Sequence, residues 1–286
     1  MEMRTLGRTG LRVSLVGLGC NNFGERLDLA GTRAVIDAAF DAGVTFFDTA
    51  DSYGKLGGSE TLIGEVLGAR RKEVVLGTKF STPMDARKTY RDASRGYIMA
   101  AVEASLRRLR TDWIDLYQMH WSDPRTPIEE TLRALDDLVS QGKVRYIGCS
   151  NLTAWQVADA AWTSRHYGLH AFASAQNEFS VLAREVSTTL LPALAHYGMG
   201  LLPYYPLASG LLTGKYKRSE ALPEGRLQSV KVWADRFLTE RNWTTIERLD
   251  AFSQSRGRTL ADLAFGWLAG HAAVSSIIAG ASTPDQ

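Results

Sequence analysis

The sequence is poor in cysteine and proline, with two and eight in 286 residues, and neither sign of charge dominates: 33 Lys+Arg stand against 31 Asp+Glu, a net +2. Two thiols, Cys20 and Cys149, are too few for a disulfide scaffold, and they lack the paired spacing of a zinc site. They suit a reducing cytoplasm, with no metal centre expected. The near balance of charge argues against a surface built for nucleic acid or for anionic lipid. A secretory start is missing too, because Met1-Glu2-Met3-Arg4-Thr5 has no apolar stretch or small-residue cleavage site, so export is not expected. Two uncharged stretches, 197–214 and 263–284, are long enough to span a bilayer. The first is broken by Pro203, Pro206 and four glycines, the second by Gly266, Gly270, His271, Ser275 and Ser276. Neither could satisfy its backbone in lipid, and no membrane insertion is expected.

What is present is a globular composition, 45% hydrophobic and 22% charged, which supports a large core and excludes disorder and fibrous repeats. Eight short apolar runs rich in β-branched residues recur at 13–18, 44–48, 74–78, 114–119, 144–149, 172–176, 200–204 and 275–279. Their length and their Gly or polar endings read as buried parallel strands. Between them lie helix-period segments: Val35, Ile36, Ala39 and Phe40 before Gly43, then 59–68, 97–110, 127–141, 154–165, 183–197, 242–254 and 260–269. Strand then helix, repeating at roughly thirty residues without a composition break, predicts an α/β chain forming one (β/α)8 barrel over 1–286. The open doubly wound sheet is the rival. It fits less well, because Gly17-Leu18-Gly19 runs on as Cys20-Asn21-Asn22-Phe23-Gly24 without the third glycine that a dinucleotide fingerprint places. Residues 5–10 are expected to form a small hairpin plugging the barrel bottom. Residues 215–232, polar and Gly/Pro-punctuated, are expected to form a long loop over the seventh strand, a lid candidate.

Barrels of this kind carry their chemistry at the C-terminal strand ends. The residues there are Asp48 with Tyr53 five places on, then Lys79, His120, Ser150-Asn151, Gln176-Asn177 and Tyr204. Each has an ordinary alternative: Asp48 as a helix cap, Lys79 reaching to solvent, Tyr53 packed in a loop, His120 as a hydrogen-bonded structural imidazole. An acid, an amine, a phenol and an imidazole on one rim, with no comparable set on the other, point to an active site.

The motifs Phe46-Phe47-Asp48-Thr49-Ala50-Asp51-Ser52-Tyr53-Gly54, Gly77-Thr78-Lys79, Asp115-Leu116-Tyr117-Gln118-Met119-His120 and Gly148-Cys149-Ser150-Asn151 resemble those of the aldo-keto reductase superfamily. So does the run from Tyr205-Pro206-Leu207 to Gly214-Lys215, and the wording is closest to the bacterial and channel-β-subunit-like branches. The resemblance implies an oxidoreductase that reduces aldehydes and ketones, with Asp48, Tyr53, Lys79 and His120 as its catalytic tetrad. It implies NADP(H) as cofactor, with NAD(H) left open because Ser282 stands where many relatives have Arg or Lys. Cofactor contacts are then expected from Gly19, Cys20 and Asn21, from Ser150, Asn151 and Gln176 on the nicotinamide amide, and from Tyr204 stacked on its ring. Leu207, Ser209, Gly210 and Lys215 fall on the pyrophosphate loop, and Ser282 and Gln286 on the adenosine side. Asn22, Phe23 and Trp121 are expected to line the pocket for a small carbonyl substrate. Family members usually continue into a final helix, so the expected barrel lacks its last one. No oligomeric state is specified.

The chemistry agrees with these roles. Carbonyl reduction needs a hydride on carbon and a proton on oxygen, and a phenol of pKa ~10 is a sluggish donor at neutral pH. An ammonium at ~4 Å would favour the phenolate by up to about 4 kcal/mol, roughly three pK units, before desolvation takes some back, so Lys79 is expected to lower the Tyr53 pKa. Asp48 would keep Lys79 charged, and His120 would hydrogen-bond the substrate oxygen. Two other classes fit parts of the pattern: a cofactor-sensing regulatory or binding subunit with little turnover, and a cofactor-free lyase or isomerase using Lys79 as a Schiff base.

Overall fold

The computed structural model describes residues 1–85 and 90–286. A hairpin comes first, β1 (Met3–Thr5) paired antiparallel with β2 (Arg12–Ser14). Eight parallel strands follow: β3 (Val16–Gly19), β4 (Phe46–Asp48), β5 (Val75–Phe80), β6 (Ile114–Met119), β7 (Val144–Ser150), β8 (Ser174–Gln176), β9 (Gly200–Leu201) and β10 (Ile277–Gly280). They pair in the order β10-β3-β4-β5-β6-β7-β8-β9. The two ends of that order also meet. The Leu201 N–H donates to the Ala273 carbonyl at 2.7 Å, the Ser275 N–H returns to the Leu201 carbonyl at 2.9 Å, and the Ile278 N–H reaches the Pro203 carbonyl at 2.9 Å. The sheet thus curls into the (β/α)8 architecture that the strand–helix alternation predicts.

Helices α1 (Leu29–Asp41), α2 (Tyr53–Leu67), α3 (Arg95–Leu109), α4 (Ile128–Ser140), α5 (Ala154–Tyr167) and α6 (Leu190–Tyr197) alternate with the strands from β3 to β9. Between β9 and β10 the chain inserts α7 (Arg226–Ser229), α8 (Lys231–Phe237) and α9 (Glu240–Gln254) before α10 (Leu260–Ala269) returns to the barrel wall. No helix follows β10. Local chemistry places these elements: α4 buries Thr131, Leu132, Ala134, Leu135 and Leu138 at helical spacing, with Glu129 and Glu130 on its positive end. Thr153 with Gln156, and Thr259 with Asp262, form capping boxes that start α5 and α10.

Several expected boundaries move, three of them for a local reason or with a change of element. The run 13–18 divides, Val13 and Ser14 belonging to the hairpin while β3 begins at Val16, because the Ser14 hydroxyl binds the Val16 carbonyl at 2.7 Å and accepts from the Thr45 N–H at 3.0 Å. The helix expected over 183–197 starts only at Leu190. Pro192 lacks an N–H and is tolerated only in a helix's first turn. The segment 215–232 holds α7 and the start of α8, so it is not a bare loop.

The expected plug is present. Leu6 and Val13 of the hairpin region pack with Phe46, Leu116, Ala173, Leu202 and Ile278 across the barrel floor. Gly7, at φ +56°, passes so close to the backbone that a Cβ would lie 2.6 Å from the Gly198 carbonyl oxygen, which only glycine allows. Gly17 makes room in the same way for the Phe46 ring. Alternate strand residues, among them Phe47, Leu76, Tyr117 and Ile147, face outward into the layer beneath the helices. Among the described residues no helix is long and apolar enough to cross a membrane, and no three His, Cys, Asp or Glu gather to hold a metal.

Candidate active site

Period-two alternation that sends Phe46 to the floor sends Asp48 inward one layer higher, at the end of β4. Lys79 arrives from β5 and donates to Asp48 Oδ2 at 2.7 Å and to the Thr49 carbonyl at 2.8 Å. Gln118 and Gln176 donate their amides to Asp48 Oδ1 at 3.0 and 2.9 Å. All four side chains are buried, Lys79 completely. Burial opposes the lysine's charge, but Asp48 and Tyr53 outweigh it and raise the pKa, so the ammonium persists at neutral pH.

Tyr53 stands over this pair on an unusual turn. Gly54, Lys55, Leu56 and Gly57 all have positive φ (67°, 60°, 66° and 108°), and the right-handed part of α2 begins only after them. Lys55 and Leu56 have side chains that disfavour this region, a strain of about 1–2 kcal/mol each. The turn brings the Tyr53 ring 5.0 Å from Lys79 Nζ and edge-on to the His120 ring at 5.8 Å. Here the structure corrects the expected direction of one pKa. Burial raises the Tyr53 phenol above its ordinary range, and the Lys79 ammonium, which pulls it down, does not overcome that. Tyr53 is therefore a neutral phenol holding its proton. His120 is also neutral: burial lowers its pKa well below the ordinary value, and Lys79 and Arg91 push the same way. Its Nδ1 lies 3.2 Å from the Thr82 hydroxyl.

Along the neighbouring rim a chain of hydrogen bonds runs from Tyr204 to Asn151 Oδ1 (2.8 Å), from Asn151 Nδ2 to Ser150 Oγ (3.1 Å) and on to the Gln176 carbonyl (2.8 Å). Asn151 Nδ2 also reaches the His120 carbonyl at 3.1 Å, tying this wall to the imidazole. Beyond Tyr204 the backbone is contorted, with positive φ at Tyr205, Ala208, Ser209, Gly210 and Gly214. Leu207 is half-buried, and the Ser209 hydroxyl is buried without a partner. Lys215 is exposed, its ammonium on the Glu224 carbonyl at 2.8 Å.

Other sequence-expected positions fall elsewhere. Phe23 is fully buried in the core beneath the helices, so it does not line a pocket. Cys20 is likewise 0% exposed, its thiol on the Leu18 carbonyl and its pKa raised by burial, which leaves no surface for a cofactor to touch. Asn22 is buried and spends its amide on the Ala281 carbonyl at 3.0 Å, fastening the C-terminal segment. Gly19 is buried at the strand end beside Gly280, and Asn21 lies next to the same glycine. Ser282 and Gln286 bind each other, the Ser282 N–H to Gln286 Oε1 at 2.8 Å. Trp121 stays at the mouth, its ring stacked 6.2 Å from His120.

The aldo/keto reductase family model matches residues 15–286. That settles the lineage. The chain belongs to the aldo/keto reductase family. It is 37% identical over 296 residues to an oxidoreductase of Bacillus subtilis, YrpG, and 35% over 297 to a probable voltage-gated potassium channel subunit beta of Oryza sativa. Both alignments span the whole chain and 89% of the relative. An L-glyceraldehyde 3-phosphate reductase of Escherichia coli is 33% identical over 298 residues, again the whole chain and 85% of the relative.

In this aldo/keto reductase several residues escape a reading of strand ends. Gln118 is one, inward-facing but two residues short of His120, and its polarity between Tyr117 and Met119 was the available signal. Another is the cluster behind the tyrosine turn. Glu60, fully buried, accepts from Thr78 (2.6 Å) and Arg108 (2.7 Å), while Asp51 is raised to about 8 by burial and by the Glu60 charge. The Asp51 N–H donates to the Lys79 carbonyl at 3.1 Å, which couples the cluster to the Asp48–Lys79 pair.

Proposed function

We propose that the chain reduces aldehydes and ketones to alcohols with a nicotinamide dinucleotide, NADP(H) first and NAD(H) open, and that Tyr53 donates the proton. The observation that carries this is the fully buried Lys79–Asp48 pair set beneath a neutral phenol and beside a neutral imidazole. The reductase name of one relative and the oxidoreductase name of another support it. The residues present fit a dinucleotide. The left-handed residues Ala208, Ser209 and Gly210 bend the loop tightly, with the Ala208 and Gly210 N–H groups closing it on the Tyr205 and Leu207 carbonyls, and the orphaned Ser209 hydroxyl is left as a donor for phosphate. Leu207, Ser209, Gly210 and Lys215 would hold the pyrophosphate. Asn151, the Gln176 amide oxygen and the Tyr204 ring would hold the nicotinamide, and Ser282 and Gln286 the adenosine end.

When bound, the reduced nicotinamide supplies the hydride. The protein's part is to place and discharge the carbonyl oxygen. With the Thr82 hydroxyl donating to Nδ1, His120 carries its proton on Nε2, and this N–H donates to the oxygen as its charge grows. Tyr53 then transfers its proton, and the Lys79 ammonium, kept charged by Asp48, stabilises the phenolate that remains. Buried, unpaired Cys20 and Cys149 suit a reducing compartment, as a cytoplasmic reductase requires.

The test is a fluorescence titration with NADPH and NADH, followed by absorbance at the reduced-nicotinamide band with a panel of small aldehydes. Binding with aldehyde-dependent oxidation is the expected result. Tight binding without turnover would transfer the reading to a cofactor-sensing subunit, the role in keeping with the relative named as a channel β subunit.

A further inference from the structure

Resting on the reductase reading, we infer that the substrate carries an anionic group, a carboxylate or phosphate, a few bonds from its carbonyl, and that Arg91 binds it. The Arg91 guanidinium lies 4.3 Å over the Trp121 ring, and that ring stacks beside His120. Both supports are fixed. The Trp121 N–H donates to Ser81 Oγ at 3.0 Å and its carbonyl accepts from the same hydroxyl at 2.9 Å. The Arg91 carbonyl accepts from Arg125 at 2.7 Å, and Arg125 is itself paired with Asp123. Arg91 stands near enough to His120 to help hold the imidazole neutral.

The charge of Arg91 is unspent. Among the described residues no carboxylate pairs with it, whereas nearby Arg125 pairs with Asp123 and Arg95 with Asp137. A guanidinium lying on an indole face keeps its N–H donors in its own plane, directed past the ring edge, in the fork that matches a carboxylate or phosphate. A substrate whose carbonyl oxygen meets His120 and Tyr53 would extend over Trp121 toward this fork. Two-point attachment would orient the carbonyl carbon, which a lone apolar wall does not do. Trp121 then acts as a platform that positions the cation as well as a wall.

The experiment compares matched substrates, butanal against 4-oxobutanoate and glyceraldehyde against glyceraldehyde 3-phosphate, and adds titration calorimetry with glycerol 3-phosphate in the presence of NADP+. The wild-type protein should favour the anionic member of at least one pair by about 10- to 100-fold in kcat/KM, the range of a charge-assisted hydrogen bond. The pair that responds distinguishes carboxylate from phosphate. Arg91→Gln should bring that ratio close to one, and Arg91→Lys should restore part of it, since the charge returns without the fork. A wild-type ratio near one in both pairs, or a ratio that Arg91→Gln leaves unchanged, overturns the anion site. Glycerol 3-phosphate binding that Arg91→Gln abolishes, in a protein that turns over none of the four aldehydes, would overturn the reductase reading and leave the anion site standing.

Discussion

Two successive layers of one barrel are filled by opposite means. At the floor, Phe46, Leu116, Leu202 and Ile278 close on the hairpin residues Leu6 and Val13 with no charge among them. A layer higher, Asp48, Lys79, Gln118 and Gln176 are just as buried, and their polar ends meet in hydrogen bonds and one ion pair. The floor draws its stability from area removed from water. The upper layer draws little net stability from its charges, because desolvation offsets their attraction, yet it fixes an ammonium in one place. Asp48 lies two positions after Phe46, and that step separates the layer that holds the fold from the layer to which the proposed chemistry is assigned.

The sharpest way to test this division is Tyr53→Phe. Deleting the hydroxyl should lower kcat by about 10²- to 10⁴-fold, the usual worth of a general acid, while the denaturation midpoint stays near that of the parent. A variant that keeps most of its turnover would break the comparison at the upper layer. Phe46→Ala should do the reverse. Removing a fully buried ring from the floor should cost about 3–5 kcal/mol in urea denaturation, with KM for the aldehyde unchanged in the fraction that remains folded. A shift in KM as large as the shift in stability would show that the layers are not separable.

The smallest effect concerns the Asp51 cluster and depends on pH. The folded chain holds the Asp51 proton up to about 8, whereas the unfolded carboxyl releases it near its ordinary 3.8. The folded state therefore binds more protons across that interval, so this group's contribution to stability falls as pH rises and levels off above it. Glu60 and Arg108 face the group with opposing charge, and Tyr97 hydrogen-bonds it. Asp51→Asn, neutral at every pH, should remove that fall. The gap in urea midpoint between variant and parent should move in the variant's favour from pH 5 to pH 8, and parallel curves would refute the assignment.

Much of the barrel was legible in the sequence because buried parallel strands leave short apolar runs, and because several of those runs end in, or lead directly into, a residue that is polar for a reason other than solvation. Asp48, Lys79 and His120 stand out on that ground, and the structure brings them together. The pocket lining was not legible in the same way. Phe23 and Cys20 follow a strand end as rim residues do, but both are buried in the core, the Cys20 N–H on the Asp48 carbonyl and Phe23 bridged to Leu27. The left-handed turn at 54–57 left no trace beyond its glycines, since Lys55 and Leu56 occupy conformations their side chains disfavour. The direction of the Tyr53 pKa depended on the balance between burial and a neighbouring ammonium, and burial is a property of the whole fold.

The seam between β9 and β10 gives the molecule a timetable. Strand β3 pairs with β10, which is synthesised long after it. Until then β3 has one open edge, and the hairpin cannot make its Arg4 hydrogen bonds to the Ala269 and Val274 carbonyls. Strands β4 to β6, which carry Asp48, Lys79 and Gln118, are synthesised well before β10, the strand that completes the ring around them. Closure is a contact of very long sequence separation, the kind that makes folding slow and leaves a nascent edge needing protection while the rest is made.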